Sequence, residues 1–236
     1  MSNKPVTLGQ TAQIRKMAVD KGIHRDVFQI RLNDGTIARF LDSLKPPVGD
    51  LGRWASNYEK LFGQKPDLSQ VRIPEKPEGV GPMRLLVGAK ELVEWTGNHP
   101  LEGVKEALKK HAPGWEYAED LDADITKNDR DPRNGSYAFW VRDVQAADDD
   151  MANLSANDLV ERGILGITAL EGELLEADYF FEKGEHLDPK TVTLYAGSRY
   201  RDGRVPFGGW LGSRFSISWC DASHRDPLLR SRRVWT

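Results

Sequence analysis

The sequence predicts an α+β protein, and three features of the chain carry that prediction. Apolar residues recur at helical spacing through much of the first half. Two segments between residues 155 and 184 begin with helix-capping patterns. Short segments in which apolar and polar residues alternate, as in half-buried strands, then follow. Helices followed by a set of short strands are typical of the α+β class.

The first part of the chain predicts a small helical module over residues 1–63. Residues 7–44 have the apolar spacing of three short helices, which end at Pro46-Pro47, and an aromatic helix surrounds Trp54 and Tyr58. Residues 64–82 are rich in proline and predict an extended connector. We therefore place a domain boundary in the connector and expect a second domain over residues 83–236.

The second domain begins with a mixture of elements. Met83–Val87 predicts a strand and Leu101–His111 an amphipathic helix. Residues 119–131 are acidic and have no apolar period, which indicates a loop. The alternation in Tyr137–Val141 predicts a strand directly after Asn134-Gly135, so the core of this domain should begin at about residue 134.

Two helices and a series of strands complete the predicted order. Ser155 with Asp158 predicts a capped short helix, and Thr168 with Glu171 predicts a capping box for a longer helix that ends at Gly184. The strands expected after them are Thr191–Tyr195, Val205–Trp210, Phe215–Cys220 and Arg232–Trp235.

The composition of the last 42 residues differs sharply from that of the rest. They contain no Lys, Glu, Gln, Asn or Met, although these five types supply 47 of the first 194 residues. They hold eight Arg against three Asp in a chain of net charge −3. Arg, Ser, Gly, Trp and Tyr are residue types that binding surfaces favour. The tail therefore predicts a contact surface for a polar or anionic partner.

Several chemistries lack a recognisable pattern. The single cysteine, Cys220, rules out an internal disulfide and a thiolate zinc cluster, and the five histidines have no metal-ligand spacing. Asp120-x-Asp122-x-Asp124 resembles the start of a calcium loop, but Ile125 replaces the required glycine and Asp131 the final glutamate. We therefore expect a non-enzymatic protein with no cofactor or bound metal. The chain shows no membrane span and no signal segment, which predicts a cytoplasmic protein unless another export route exists.

Residues 166–234 resemble the C-type-lectin-like fold used by variable proteins of diversity-generating retroelements. The resemblance rests on the helix start at Ile167–Glu171, the segment Leu194–Gly203, the strands around Trp210 and Trp219, and the closing Leu229–Val234. It covers about 70 residues, or about 100 if Tyr137–Val141 is the first strand of that fold. It implies a ligand-binding protein whose C-terminal surface is diversified.

The resemblance also implies which positions vary. The family replaces adenines in template Asn codons, and the resulting codons cannot encode Lys, Glu, Gln, Met or Trp, so the three Trp of the tail would be fixed scaffold. The tail nevertheless contains no Asn, which these codons permit. The candidate ligand-facing positions are Arg204, Phe207, Gly209, Leu211, Gly212, Ser216, Ser218, Cys220, Asp221, Ser223, His224 and Arg225. Their expected partner is a protein or surface ligand, and the N-terminal helices would serve self-association or docking.

Two other functions remain open. Residues 7–44 could form a helix-turn-helix module of a nucleic-acid-binding regulator, because basic residues outnumber acidic ones there. An enzyme of the formylglycine-generating type would share the lectin-like fold. Cys220 has no second cysteine with which to perform the cysteine chemistry of that class.

Overall fold

The computed structural model describes residues 49–236 except for 112, 113, 117–119, 212 and 213, and it does not describe the side chains of residues 114–116 and 211. The chain divides after residue 48, and residues 49–236 form one compact unit. The helices predicted over 7–44, with their docking and nucleic-acid-binding roles, lie outside the described residues.

The described residues form six α-helices and nine strands, which confirms the mixed α+β class. The helices are α1 Asp50–Phe62, α2 Glu91–Trp95, α3 Pro100–Lys109, α4 Leu121–Asp124, α5 Ala156–Glu161 and α6 Ala169–Lys183. The strands are β1 Met83–Gly88, β2 Gly114–Glu116, β3 Ile125–Asn128, β4 Tyr137–Arg142, β5 Val192–Leu194, β6 Ser198–Tyr200, β7 Val205–Leu211, β8 Arg214–Cys220 and β9 Leu229–Arg230. Short 3-10 helices span Pro132–Asn134 and Asp149–Met151.

Both predicted capping boxes are present. The Ser155 hydroxyl accepts from the Asp158 amide, and the Asp158 carboxylate accepts from the Ser155 amide. Thr168 and Glu171 make the same reciprocal pair at the start of α6. Each box satisfies amides that the first helical turn leaves without partners, so these helices begin where the sequence predicts.

The main sheet has five strands in the order β2-β8-β7-β5-β9. Strands β7 and β8 form a seven-pair antiparallel hairpin from Val205↔Cys220 to Leu211↔Arg214. Ile217 packs in the larger core cluster, which contains α6 residues such as Leu174. Val205 packs in a second cluster, which contains α5 residues such as Leu159. The sheet therefore has helical cover on both faces.

Tyr195 explains how closely α6 approaches the hairpin. A Cβ atom added to Gly172 of α6 or to Gly208 of β7 would lie 2.2 Å from an atom of the Tyr195 side chain. The ring is 2% exposed, and burial raises the pKa of its hydroxyl well above the usual value. The two glycines leave the space that this ring fills, so this one aromatic side chain sets the distance between α6 and β7.

The structure divides the chain after residue 48, and residues 64–82, where the sequence predicts a boundary, lie within the compact unit. In α1, Trp54 and Tyr58 are fully buried in the larger core cluster. The segment after α1 is extended, but Leu68 is 6% exposed and the carbonyl of Pro74 accepts from the Trp140 indole at 2.9 Å. Burial of these aromatic rings ties the helix and the segment after it to the domain.

Residues 120–131 contain a helix and a strand, whereas the acidic composition of 119–131 predicts a loop. Leu121 and Ile125 are buried, and α4 and β3 form around them. β3 pairs with β6, another strand beyond those predicted. At the end of the chain, β9 precedes the predicted strand, within which Arg233 and Trp235 make isolated bridges to Gly166 and Trp140.

Candidate functional site

The hairpin register places most predicted ligand-facing positions of the two strands on one face. Phe207 pairs with Ser218, and Gly209 pairs with Ser216. Directly paired residues of an antiparallel hairpin point to the same side of the sheet. The shared face expected from the alternation is therefore present.

That face is largely covered, which corrects the expected exposure of these positions. Ser216 is 5% exposed and Cys220 9% exposed, and Phe207 packs against the cluster that contains α5. Gly209 is buried, and a Cβ atom there would lie 3.0 Å from the carbonyl oxygen of Thr191. Ser218 is half-buried. The side chain of Leu211 and all of Gly212 lie outside the described residues.

Burial of this face also determines the reactivity of the Cys220 thiol. Burial raises the pKa of its thiol to about 11, with the carboxylate of Asp221 adding to the effect. A thiol with a raised pKa is a poor nucleophile near neutral pH, because the thiolate is the reactive species. Cys220 is therefore a packed core residue here.

The turn after β8 holds the predicted residues that are exposed. Asp221, Ser223, His224 and Arg225 are all exposed. The backbone closes through a hydrogen bond from the His224 amide to the Asp221 carbonyl at 2.9 Å. This turn presents four polar side chains of different chemistry to solvent.

Arg225 anchors the turn to α5. Its Nε and Nη2 donate to the two carboxylate oxygens of Asp158 at 2.8 and 2.5 Å. Arg225 and then Ser155 lower the pKa of the Asp158 carboxyl well below its usual value. The Asn157 amide donates to the Ala222 carbonyl at 3.0 Å. One side of the turn is thus fixed by the helix that covers the strands.

The structure adds one residue that the sequence argument assigned to the scaffold. Trp219 is 43% exposed, and the guanidinium carbon of Arg204 lies 3.4 Å from a ring centroid of the Trp219 side chain. The hairpin register explains the contact, because Pro206 pairs with Trp219 and Arg204 lies two residues earlier on the same face. Trp219 shares its face of β8 with the buried Ile217, so alternation alone does not account for its exposure.

We give the name turn-end surface to the half-buried Arg204 and to the exposed residues at the end of the hairpin where the turn after β8 begins. It combines an aromatic ring, two guanidinium groups, a carboxylate, a hydroxyl and an imidazole. Its members are Arg204, Trp219, Asp221, Ser223, His224 and Arg225.

The acidic stretch with calcium-loop spacing makes internal contacts. His99, Asp120 and Asp122 bring potential ligand atoms within 4.8 Å of one another. The two oxygens of Asp122 accept from the Glu102 amide and from Arg133 Nη2, each at 2.9 Å. Burial is the largest influence on the pKa of Asp122 and raises it. A cation bound to Asp122 would have to compete with these two donors.

Helix α6 carries buried carboxylates whose ion-pair partners the sequence did not predict. Arg130 donates to both oxygens of Glu171 at 2.8 Å. Asp178 accepts from Arg53, Arg84 and Asn57 at distances of 2.5 to 2.6 Å. A buried carboxylate with several charged donors is typical of a structural network that holds elements together. Glu171 and Asp178 lie seven residues apart on the helical face of Leu174, a spacing that can indicate buried carboxylates but does not identify their distant partners.

Comparisons with protein-family models, with curated proteins and with solved structures give no match. Among the described residues, no helix is both long and apolar enough to cross a membrane.

Proposed function

We propose that this chain is a non-enzymatic ligand-binding protein, the variable protein of a diversity-generating retroelement, and that it binds its ligand through the turn-end surface. The observation that carries the proposal is the exposure of this surface at one end of a hairpin whose strands have helical cover on both faces. Binding residues are disproportionately found on loops that a rigid scaffold positions.

The residue types support the same proposal. Trp219 cannot arise from the codons that such a retroelement produces, so it would be a fixed part of the surface. The other five members are all of types that those codons permit. Variation would then concentrate at Arg204 and in the turn 221–225, and it would be limited at buried positions such as Gly209 and Ser216.

A C-type-lectin-like fold for the C-terminal part belongs to the proposal. Strand β4, the first strand that the resemblance would include, forms an antiparallel bridge with the chain end through Trp140 and Trp235. The capped helices α5 and α6 precede the hairpin, as the resemblance implies. These features support the proposed fold.

The energetics suit a surface of changing sequence. Substitutions at exposed positions usually alter the free energy of unfolding by about 0.5 kcal/mol or less. Trp and Arg, both present here, are the residue types that most often contribute about 2 kcal/mol or more to a protein interface. The surface can therefore change its ligand at little cost to the fold.

The genetic part of the proposal is tested in the DNA around the coding sequence. We expect a near-identical copy of the bases that encode the C-terminal tail, differing only where the copy has adenine, beside a gene for a reverse transcriptase. A locus with neither would overturn diversification.

The surface itself is tested with two matched libraries of the full chain. One library randomises Arg204, Asp221, Ser223 and His224, and the control randomises Phe207, Gly209, Ser216 and Cys220. We expect most members of the first library, and few of the second, to remain folded when displayed on cells and treated with protease. Equal survival of the two libraries would contradict the division between surface and scaffold.

A further inference from the structure

We infer that Arg204 and Trp219 together form a binding site for a carboxylate carried by a protein partner, an inference that rests on the proposed function. Arg204 is held in one geometry before any ligand arrives. Its Nε donates to Asp202 Oδ2 at 2.5 Å, and its own amide donates to Asp202 Oδ1 at 3.1 Å. The guanidinium lies over the indole of Trp219, and its carbon is 3.4 Å from a ring centroid.

The end of the guanidinium that faces away from these contacts is available. Among residues 49–236 as described, no hydrogen bond reaches either Nη nitrogen of Arg204, and the side chain is 32% exposed. Two parallel N–H donors on a fixed plane match the two oxygens of a carboxylate. Because the plane is already fixed, little conformational entropy is lost when an anion binds.

The charges around Arg204 limit the negative charge that a ligand can carry. Asp202 bonds to Nε, and the exposed Asp221 follows Cys220, whose partner Val205 directly follows Arg204. A carboxylate adds one charge near these two acids, whereas a phosphate adds up to two. The site is therefore better suited to a carboxylate than to a phosphate.

The exposed ring of Trp219 favours a protein as the carrier of this carboxylate. A free small acid would gain only its hydrogen bonds to the guanidinium N–H groups of Arg204. Those bonds alone would have to offset the whole entropic cost of association. A protein segment can also pack an apolar side chain on the indole, which is 43% exposed, while its acid reaches Arg204. Trp and Arg, together with Tyr, are enriched among the residues that dominate binding near the centres of protein interfaces.

The probe is a set of random twelve-residue peptides displayed on phage and selected on the immobilised full chain. We expect the selected peptides to share an Asp or Glu next to an apolar or aromatic residue. The tightest peptide is then synthesised in two forms, one with its acidic residue (Glu or Asp) and one with the matching amide (Gln or Asn). The affinities of the two forms are measured by fluorescence anisotropy. The acidic form should bind at least tenfold more tightly than the amide form.

The protein variants form a double-mutant cycle with these two peptides. Arg204→Lys keeps the charge but loses the planar fork, so it should weaken binding of the acidic peptide at least tenfold and leave the amide peptide unchanged. Arg214→Lys, at an exposed arginine at the other end of the hairpin, is the matched control and should change neither. Peptides with free or amidated C-termini distinguish a terminal from a side-chain carboxylate.

Three results would overturn the carboxylate site: no enriched peptide, equal binding of the acidic and amide peptides, or tighter binding of a phosphoserine peptide. If Arg204→Lys has no effect while substitutions of Ser223 and His224 abolish binding, the proposed function survives and only this inference fails. If none of these substitutions affects binding of a selected peptide, the turn-end surface is not the binding site and both fail.

Discussion

Two parts of one hairpin have opposite environments although they share a sequence pattern. Ile217 and Trp219 lie two residues apart on β8 and point to the same face, yet Ile217 is 1% exposed and Trp219 43% exposed. On the other face, Ser216 is buried and Ser218 half-buried, although both are small and polar. Alternation assigns residues to faces, and the elements packed on each face decide how far along the strand burial extends.

The comparison also separates two roles within the C-terminal tail. The strands of the hairpin, including its last pair Val205 and Cys220, pack between α5 and α6, whereas Trp219 and the turn after β8 contact solvent. The unusual composition of the last 42 residues is therefore shared by buried scaffold positions and by positions on the turn-end surface.

The largest expected difference is between truncation of Ile217 and truncation of Trp219. Ile217→Ala should lower the free energy of unfolding by about 2–5 kcal/mol, because it leaves a cavity beside α6. Trp219→Ala should lower it by about 1 kcal/mol or less, the loss of an exposed contact with Arg204. Urea unfolding of the two variants beside the wild type measures both. Equal destabilisation would show that Trp219 belongs to the core.

A smaller difference is expected when a serine is enlarged at each location. Ser216→Tyr should destabilise the protein by about 1–3 kcal/mol, because a ring must enter a closely packed face. Ser223→Tyr should change the free energy of unfolding by about 0.5 kcal/mol or less, because the turn is exposed. The same unfolding measurement checks both variants, and a stable Ser216→Tyr protein would argue against close packing around Ser216.

The reactivity of cysteine should also differ between the two parts. At pH 8, Cys220 should react with a thiol-alkylating reagent about tenfold or more slowly than a cysteine placed at Ser223 in a Cys220→Ser background. Burial and the raised pKa, about 11, both keep Cys220 as an unreactive thiol. Mass spectrometry over time measures the two rates, with labelling in denaturant as the control. Similar native rates would show that β8 opens readily.

The smallest expected effect concerns the ion pair that anchors the turn. The pKa of Asp158 is lowered in the folded protein, so the stability that it contributes is present above the unfolded pKa of about 4. The contribution is lost as pH falls through the folded pKa. The difference in thermal midpoint between wild type and Asp158→Asn should therefore be constant from pH 7 to 5 and shrink below pH 4.

Solvent limits the size of this effect, because the side chain of Arg225 is 58% exposed. Asp221→Asn removes an exposed carboxylate that has no ion pair among the described residues. It is the control for the effect of removing one surface carboxylate on the thermal midpoint. A difference between wild type and Asp158→Asn that grows in acid would reverse the sign and contradict the lowered pKa.

Local chemistry made several elements predictable. The capping boxes at Ser155 and Thr168 depend on residues three positions apart, so their signals are complete within one turn of chain. The strands around Phe207 and Ile217 were likewise visible as alternation. The network around Asp178 was not visible, because its partners Arg53 and Arg84 are 125 and 94 residues away.

The sequence by itself determined where α5 and α6 begin, where the hairpin strands lie, and which strand residues share a face. These properties follow from hydrogen bonds and side-chain directions that repeat over a few residues. Only the tertiary structure decided that α1 belongs to the core, that the face with Gly209 and Ser216 is covered, and that Trp219 is exposed. Burial depends on which distant segments pack on each face, and the periodicity of a strand does not contain that information.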